Sequence, residues 1–266
     1  MTIPWYIMTS HSNCASTRKF FEENNYFNYP KNSVRFFSQD KLPIVDTEGK
    51  ILLSEPYLIQ EGPNGNGDVF NALLRSGMIE DMKSRNIKWV FFCGVDNILL
   101  RIVDPLFLGI TISEGHKISS KTIFKEMPLD TECVFARING KPGMLHYKDI
   151  TLELSESQND DGAYLYREAN VLSHLLSIDA LEKSANLNLP YNRAYKKATF
   201  VNDEGMKQVP EERNSFKFEK FIFDSFSHFE NLLLFRVSKE EFAPIKDIVG
   251  LNTATKLYQK EIMKIK

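Results

Sequence analysis

The segment Lys88 to Val95 constrains the fold more than any other, because Trp89-Val90-Phe91-Phe92-Cys93 is aromatic and β-branched with no polar alternation. A strand with one wet face alternates, so an unbroken apolar strand is expected to be covered on both faces. Ahead of it, Phe70, Leu73, Leu74, Met78 and Met82 keep helical spacing from Asp68 onward. Earlier still, Trp5-Tyr6-Ile7-Met8 and Val34-Arg35-Phe36-Phe37 read as strands on either side of a helical Ser16 to Glu23. Strand, helix and strand in this order predict parallel crossovers and an α/β sheet.

Turn chemistry organises much of the rest. Asp46-Thr47-Glu48-Gly49-Lys50 between Ile44-Val45 and Ile51-Leu52-Leu53 signals a hairpin. Asn139-Gly140-Lys141 joins strands at Val134 to Ile138 and Met144 to Tyr147. Asp104-Pro105 can open a helix with proline in its first turn. Glu156 to Gly162 reads as a polar loop, Tyr164 to Leu181 as a helix, Asn202 to Asn214 as exposed turns, and a last helix starts at Thr253. No repeat or low-complexity linker interrupts the chain. One compact domain over residues 1–250 is expected, with 251–266 beginning a further region.

Composition removes several classes. Lys and Arg number 33 against 35 Asp and Glu, a formal charge of −2, which disfavours a nucleic-acid coat or an anionic-membrane surface. Cys14, Cys93 and Cys133 form no C-x-x-C pair, and Cys93 inside its apolar run is expected to be buried and inert. The closest two histidines, His146 and His174, are 28 residues apart, so no paired-histidine metal motif exists. No G-x-S-x-G elbow, complete phosphate loop, signal peptide or 20-residue apolar span is present. A cytoplasmic protein is the simplest expectation.

Three segments could carry chemistry. Gly62-Pro63-Asn64-Gly65-Asn66-Gly67 precedes a helix, where glycines let a ligand approach the backbone and helix N–H groups suit polar atoms; a tight Asn-Gly turn explains the same residues. Gly94-Val95-Asp96-Asn97 ends the strongest strand, where an α/β sheet places its ligand crevice and a carboxylate could hold Mg²⁺. A helix or turn cap accounts for Asp96 equally well. Phe218, Phe221, Ile222, Phe226 and Phe229 fit one helical core stripe, from which Phe223 departs and is freer to meet a ligand. Lys246, after Pro244, is by itself a solvated lysine.

Taken in order, several motifs resemble the eukaryotic-type UDP-N-acetylglucosamine pyrophosphorylases. They are Pro4-Trp5-Tyr6-Ile7-Met8-Thr9-Ser10, Phe36-Phe37-Ser38-Gln39 with Leu42-Pro43, the Gly/Asn loop, and Val95-Asp96-Asn97-Ile98-Leu99. Glu219-Lys220-Phe221-Ile222-Phe223-Asp224 and Phe242-Ala243-Pro244-Ile245-Lys246 continue the match. The resemblance implies a Rossmann-like mixed α/β sheet of the glycosyltransferase-A type, incomplete at both ends. It also implies transfer of uridylate from UTP to N-acetylglucosamine-1-phosphate, giving UDP-N-acetylglucosamine and pyrophosphate.

By that resemblance Gln39 and Gly65 contact uracil, and Asn66 and Asn170 hold sugar hydroxyls or the acetamido group. Tyr147, Phe221 and Phe223 shape the sugar pocket, Asp96 helps hold Mg²⁺, and Lys246 offsets diphosphate charge. The departures are specific. The family's L-G-G-G-x-G-T-R-L-G segment, its following lysine and its carboxy-terminal region have no match here. Cys133 replaces a glycine, His146 a sugar-binding glutamate, and Asp68 a glycine, the last expected to add negative charge near the phosphates. An active uridylyltransferase and a catalytically silent UDP-sugar-binding or partner-binding relative both fit these residues.

Overall fold

The computed structural model describes residues 2–125, 133–146 and 149–265. Contacts divide the chain into two compact units, Met1–Asn86 with Glu182–Ser225, and Ile87–Leu181 with Phe226–Lys266.

In the first unit Trp5–Thr9 pairs in parallel with Val34–Ser38, joined by the helix Cys14–Glu23. This is the crossover that the strand–helix–strand order predicts. Phe21, Val34 and Phe36 form its small core, with Tyr26 and Tyr29 packed on them. The next apolar stretch is two helices, Val69–Arg75 and Met78–Ser84, because Gly77 adopts φ +70 between them. Phe70, Leu73, Ile79 and Met82 are buried on their shared apolar side. The ribbon Lys41–Pro43 with Glu61–Pro63 leads into the Gly/Asn loop.

In the second unit a mixed sheet runs in the order Lys141–Leu145, Val134–Ile138, Glu168–Ser177, Ile118–Phe124 and Leu233–Arg236. Only the last pair is parallel. The central strand Glu168–Ser177 overturns the helix expected over Tyr164 to Leu181; the helix starts at Ile178. Strands flank both its edges, Ala169, Val171 and every residue from Ser173 to Ser177 are buried, and Asn170 and Leu172 are half-buried. Such a strand shows no polar face and can be taken for a buried helix.

Trp89–Cys93 pairs antiparallel with the carboxyl half of that central strand. Among the described residues it pairs on one edge only, and its side chains are half-buried rather than covered on both faces. Cys93, expected in the core, is exposed. The Asn139-Gly140 turn, with φ +52 and +78, closes its hairpin as predicted. Asp104 caps Pro105–Ser113 by accepting from the Leu106 and Phe107 amides. The final helix begins at Ile248, five residues before the expected start, because Asp247 caps it through the Gly250 N–H at 2.8 Å. No helix among the described residues is long and apolar enough to cross a membrane.

Lys121 is the most deeply buried charge, fully enclosed beneath the sheet. Its ammonium donates to Asp104 at 2.7 Å and Glu241 at 3.4 Å, and to the Arg101 carbonyl at 3.3 Å. Burial pushes the Asp104 carboxyl up, but Lys121 and the two helix amides outweigh it and hold the group below its usual range. An ammonium so enclosed is tolerable only because two carboxylates meet it.

Candidate functional site

The Gly/Asn loop is shaped by the chain it lies against. The Gly67 N–H donates to the Lys220 carbonyl at 2.9 Å, and the Lys220 N–H donates to the Asn64 carbonyl at 2.8 Å. Gly65 has φ +89, and a Cβ there would come within 2.4 Å of the Lys220 oxygen. A Cβ on Gly67 would come within 2.6 Å of the Phe221 carbonyl carbon. These glycines are therefore required by close approach of the Lys220–Phe221 backbone, and the ligand-approach argument alone does not explain them.

Asn66 completes the joint: its Oδ1 accepts from the Ile222 N–H at 3.0 Å, leaving its amide nitrogen for another partner. Phe218 lies in the strand Ser215–Glu219 and the residues from Ile222 to His228 form 3-10 turns, so the expected single helical stripe does not exist. Ile222, Phe226 and Phe229 are buried nevertheless, while Phe221 and Phe223 stack on each other at 5.0 Å. Gln39 and Asn64 are adjacent in the same unit through the Asn64 N–H, which donates to Asp40 at 3.1 Å. Among the described residues, Gln39 Oε1 and Asn64 Oδ1 are buried acceptors with no donor. Such orphans are rare and mark a place where a ligand donor is wanted.

Asp68, the residue expected to add negative charge near the phosphates, is held inside the fold. It is 1% exposed, accepts from the Asp40 N–H at 2.8 Å and pairs with Arg75 at 3.5 Å, with Arg75 also on Asp40 at 2.9 Å. Its charge is spent on holding Asp40 and the neighbouring Gln39 backbone in place.

In the second unit Asp96, Asn170 and Lys246 are tied by backbone. The Asp96 carboxylate folds over Gly94, where a Cβ would lie 2.8 Å from Oδ1. The Asp96 carbonyl accepts from the Ile245 N–H at 2.9 Å, next to Lys246. The Gly94 N–H donates to the Leu172 carbonyl, and Leu172, at φ +49, forms a bulge whose N–H donates to Asn170 Oδ1 at 2.9 Å. Bulges re-aim side chains beside functional sites. The Asn170 N–H donates to the Cys133 carbonyl at 2.8 Å. Cys133 and His146 directly flank the terminal Val134–Leu145 pair of their hairpin. Tyr147 lies outside the described residues.

Asn97 is the residue that sequence inspection treated only as part of a motif. It is 8% exposed; its Nδ2 donates to the Glu241 carbonyl at 2.8 Å, and its Oδ1 accepts from the Ala243 N–H at 3.1 Å. Its side chain thus works as a strand partner for the segment that carries Lys246. The sequence signal was an amide residue beside Asp96 at the end of an apolar strand.

A family model described as UTP–glucose-1-phosphate uridylyltransferase matches residues 1–265. The chain belongs to this uridylyltransferase family. Within the family it is 36% identical over 250 residues to the UDP-N-acetylhexosamine pyrophosphorylase-like protein 1 of Xenopus tropicalis, covering 92% of this chain and 49% of that one. It is 35% identical over 258 residues to the UDP-N-acetylglucosamine pyrophosphorylase of Saccharomyces cerevisiae, covering 93% and 54%. A solved uridylyltransferase relative from Entamoeba histolytica superposes with TM-score 0.90 at 30% identity, covering 98% of this chain and 66% of that one. The chain spans about half the length of the curated relatives it matches. Its mixed α/β architecture is that of UDP-sugar pyrophosphorylase structures.

Proposed function

We propose that this chain takes part in uridylyl transfer from UTP to N-acetylglucosamine-1-phosphate, forming UDP-N-acetylglucosamine and pyrophosphate in the cytoplasm. The supporting observation is the joint between the Gly/Asn loop and Lys220–Ile222, bordered by the orphaned acceptors Gln39 Oε1 and Asn64 Oδ1. Uracil offers one N–H donor on its base edge, whereas the matching ring nitrogen of cytosine is an acceptor. A buried carbonyl acceptor left unpaired by the wrong base is penalised, so Gln39 selects uracil. Asn66 keeps its Nδ2 for a sugar oxygen, and the Phe221–Phe223 stack supplies a flat apolar wall.

A phosphate oxygen of the sugar phosphate attacks the α-phosphorus of UTP as the bond to pyrophosphate breaks. The chain's own part is positioning and charge. Lys246 is exposed and forms no ion pair among the described residues, so it is available to phosphate oxygens. Asp96 likewise keeps its carboxylate free of ion pairs. No three His, Cys, Asp or Glu side chains converge among the described residues, so a protein-only metal cage is absent there. One free carboxylate does fit Mg²⁺, which takes its remaining ligands from phosphate and water. When bound, Mg²⁺ would neutralise phosphate charge. The motif resemblance further supports reading the sheet as the Rossmann-like, glycosyltransferase-A type.

The test is turnover by the purified chain with UTP, N-acetylglucosamine-1-phosphate and Mg²⁺, following pyrophosphate release. Release that falls at least tenfold in Lys246→Ala is expected from loss of a charge-assisted contact of roughly 1.5–3 kcal/mol. Release indistinguishable from a no-protein control, together with no binding of UDP-N-acetylglucosamine, would remove the assignment.

A further inference from the structure

Asp68 joins the two segments of the first unit that carry Gln39 and Gly65. Its own N–H donates to the Gly65 carbonyl at 3.3 Å, so its backbone belongs to the Gly/Asn loop. Its carboxylate reaches the other way, where Oδ2 accepts from the Asp40 N–H at 2.8 Å. That N–H lies in the planar peptide unit between Gln39 and Asp40, so the bond fixes the plane in which the Gln39 main chain ends. The Asp40 carbonyl returns the link by accepting from the Asn64 N–H at 3.1 Å. On its other side the Gln39 N–H donates to the Thr9 carbonyl at 2.9 Å.

A neutral acceptor at position 68 could also meet the Asp40 N–H; what a carboxylate adds is Arg75. The Arg75 Nη2 lies 2.9 Å from Asp40 Oδ1 and 3.5 Å from Asp68 Oδ2, so one guanidinium braces both carboxylates. Arg75 ends the helix Val69–Arg75 that leaves the loop, which ties the brace to regular structure. Asp40 and Arg75 are half-exposed, whereas Asp68 is buried. A carboxylate at that depth loses its hydration and is tolerable where an N–H and a cation meet it. Its burial also keeps it out of a ligand's direct reach, so any effect it has on a ligand passes through its neighbours.

We propose that Asp68, braced by Arg75, is a positioning residue for base selection: it sets the separation of Gln39 and Gly65 and through it the preference for uracil over cytosine. The proposal rests on the assignment of those two residues to the base. Discrimination is a difference of affinities, and it is largest when the contacting groups cannot shift to suit the wrong partner. Releasing the Gln39–Asp40 peptide lets the site adapt to either base edge. Affinity for the uracil nucleotide then falls while affinity for the cytosine nucleotide changes little. A residue that only stabilised the fold would weaken both alike or neither.

The test is calorimetric binding of UMP and of CMP to the full chain, at a temperature well below the melting point of every variant compared. The unaltered chain should prefer UMP. In Asp68→Ala the ratio of UMP to CMP affinity should fall roughly 5- to 30-fold, through weaker UMP binding. Asp68→Asn keeps an acceptor for the Asp40 N–H but not the charge for Arg75, so its ratio should lie between the two. Arg75→Ala should lower the ratio in the same direction by less. Its side chain is half-exposed, so this variant carries the test if Asp68→Ala fails to fold. A UMP preference that survives in Arg75→Ala and in whichever Asp68 variants fold overturns the positioning role and leaves the base assignment standing. UMP and CMP affinities that fall by equal factors overturn it in the same way. No UMP preference in the unaltered chain removes the base assignment itself, and the positioning role with it.

Discussion

Asn97 holds Ala243 and Glu241 as a neighbouring strand would, accepting from the first at 3.1 Å and donating to the second at 2.8 Å. The β-bridge between Asn97 and Pro244 and the Ile245 N–H on Asp96 continue the pairing. Through these bonds the candidate metal carboxylate and the candidate phosphate lysine share one stretch of paired backbone. Glu241 is anchored in turn by Lys121. Asn97→Ala removes both bonds and leaves the Glu241 carbonyl and Ala243 amide unmet, costing about 1–3 kcal/mol. Urea unfolding should register that loss, and the Ile245 amide should exchange faster with solvent. Unaltered Ile245 protection would mean that the segment is held by something else.

Gly65 and Gly205 separate two effects that sequence alone merges. Both have positive φ, +89 and +77, but only Gly65 faces another backbone. Gly205→Ala should cost about 1–2 kcal/mol for the left-handed conformation. Gly65→Ala should cost clearly more, because its Cβ would displace Lys220 and the Asn66–Ile222 joint. Equal Tm losses for the two variants would contradict the close approach.

Asn66 can be dissected in the same spirit. Asn66→Asp keeps an acceptor for the Ile222 N–H but loses the amide donor. Its stability should stay near that of the unaltered chain while UDP-N-acetylglucosamine binding weakens. Asn66→Ala should lose both, with binding weaker by about 1–3 kcal/mol. Calorimetry showing full affinity in Asn66→Asp would remove Asn66 from the ligand contacts.

His174 gives the fold an acid-sensitive element. It is fully buried against Phe226, with Nδ1 on the Ser120 hydroxyl at 2.8 Å and Nε2 without a partner among the described residues. Burial pushes its pKa down from 6.5 to about 3. The unfolded chain therefore takes up a proton below pH 6.5 that the folded chain refuses until about pH 3. Stability should fall as pH falls through that window, by about 2 kcal/mol between pH 7 and pH 5. His174→Gln should flatten this part of the pH–stability curve. A slope unchanged by the substitution would place the acid sensitivity elsewhere.

Local chemistry was legible wherever a few neighbouring residues decide the outcome. The Asn139-Gly140 hairpin, the Asp104-Pro105 helix start and the Trp5–Ser38 crossover formed as their residues predict. The sequence by itself also determined the family motifs and the types of residue at the candidate site, because those are written in order along the chain. Tertiary structure decided the rest. Glu168–Ser177 became the central strand because partners far along the chain, Ile118–Phe124 among them, take up both its edges, and no local period records a partner. The half-buried state of Trp89–Cys93 depends on what packs over its two faces, which its own apolar run does not record. Asp68 turned inward because Arg75 and the Asp40 amide meet it there. The loop glycines are required by Lys220 and Phe221, more than 150 residues away. A hydrogen bond or a close approach needs two partners at one point in space, and a linear sequence names each partner without saying where they meet.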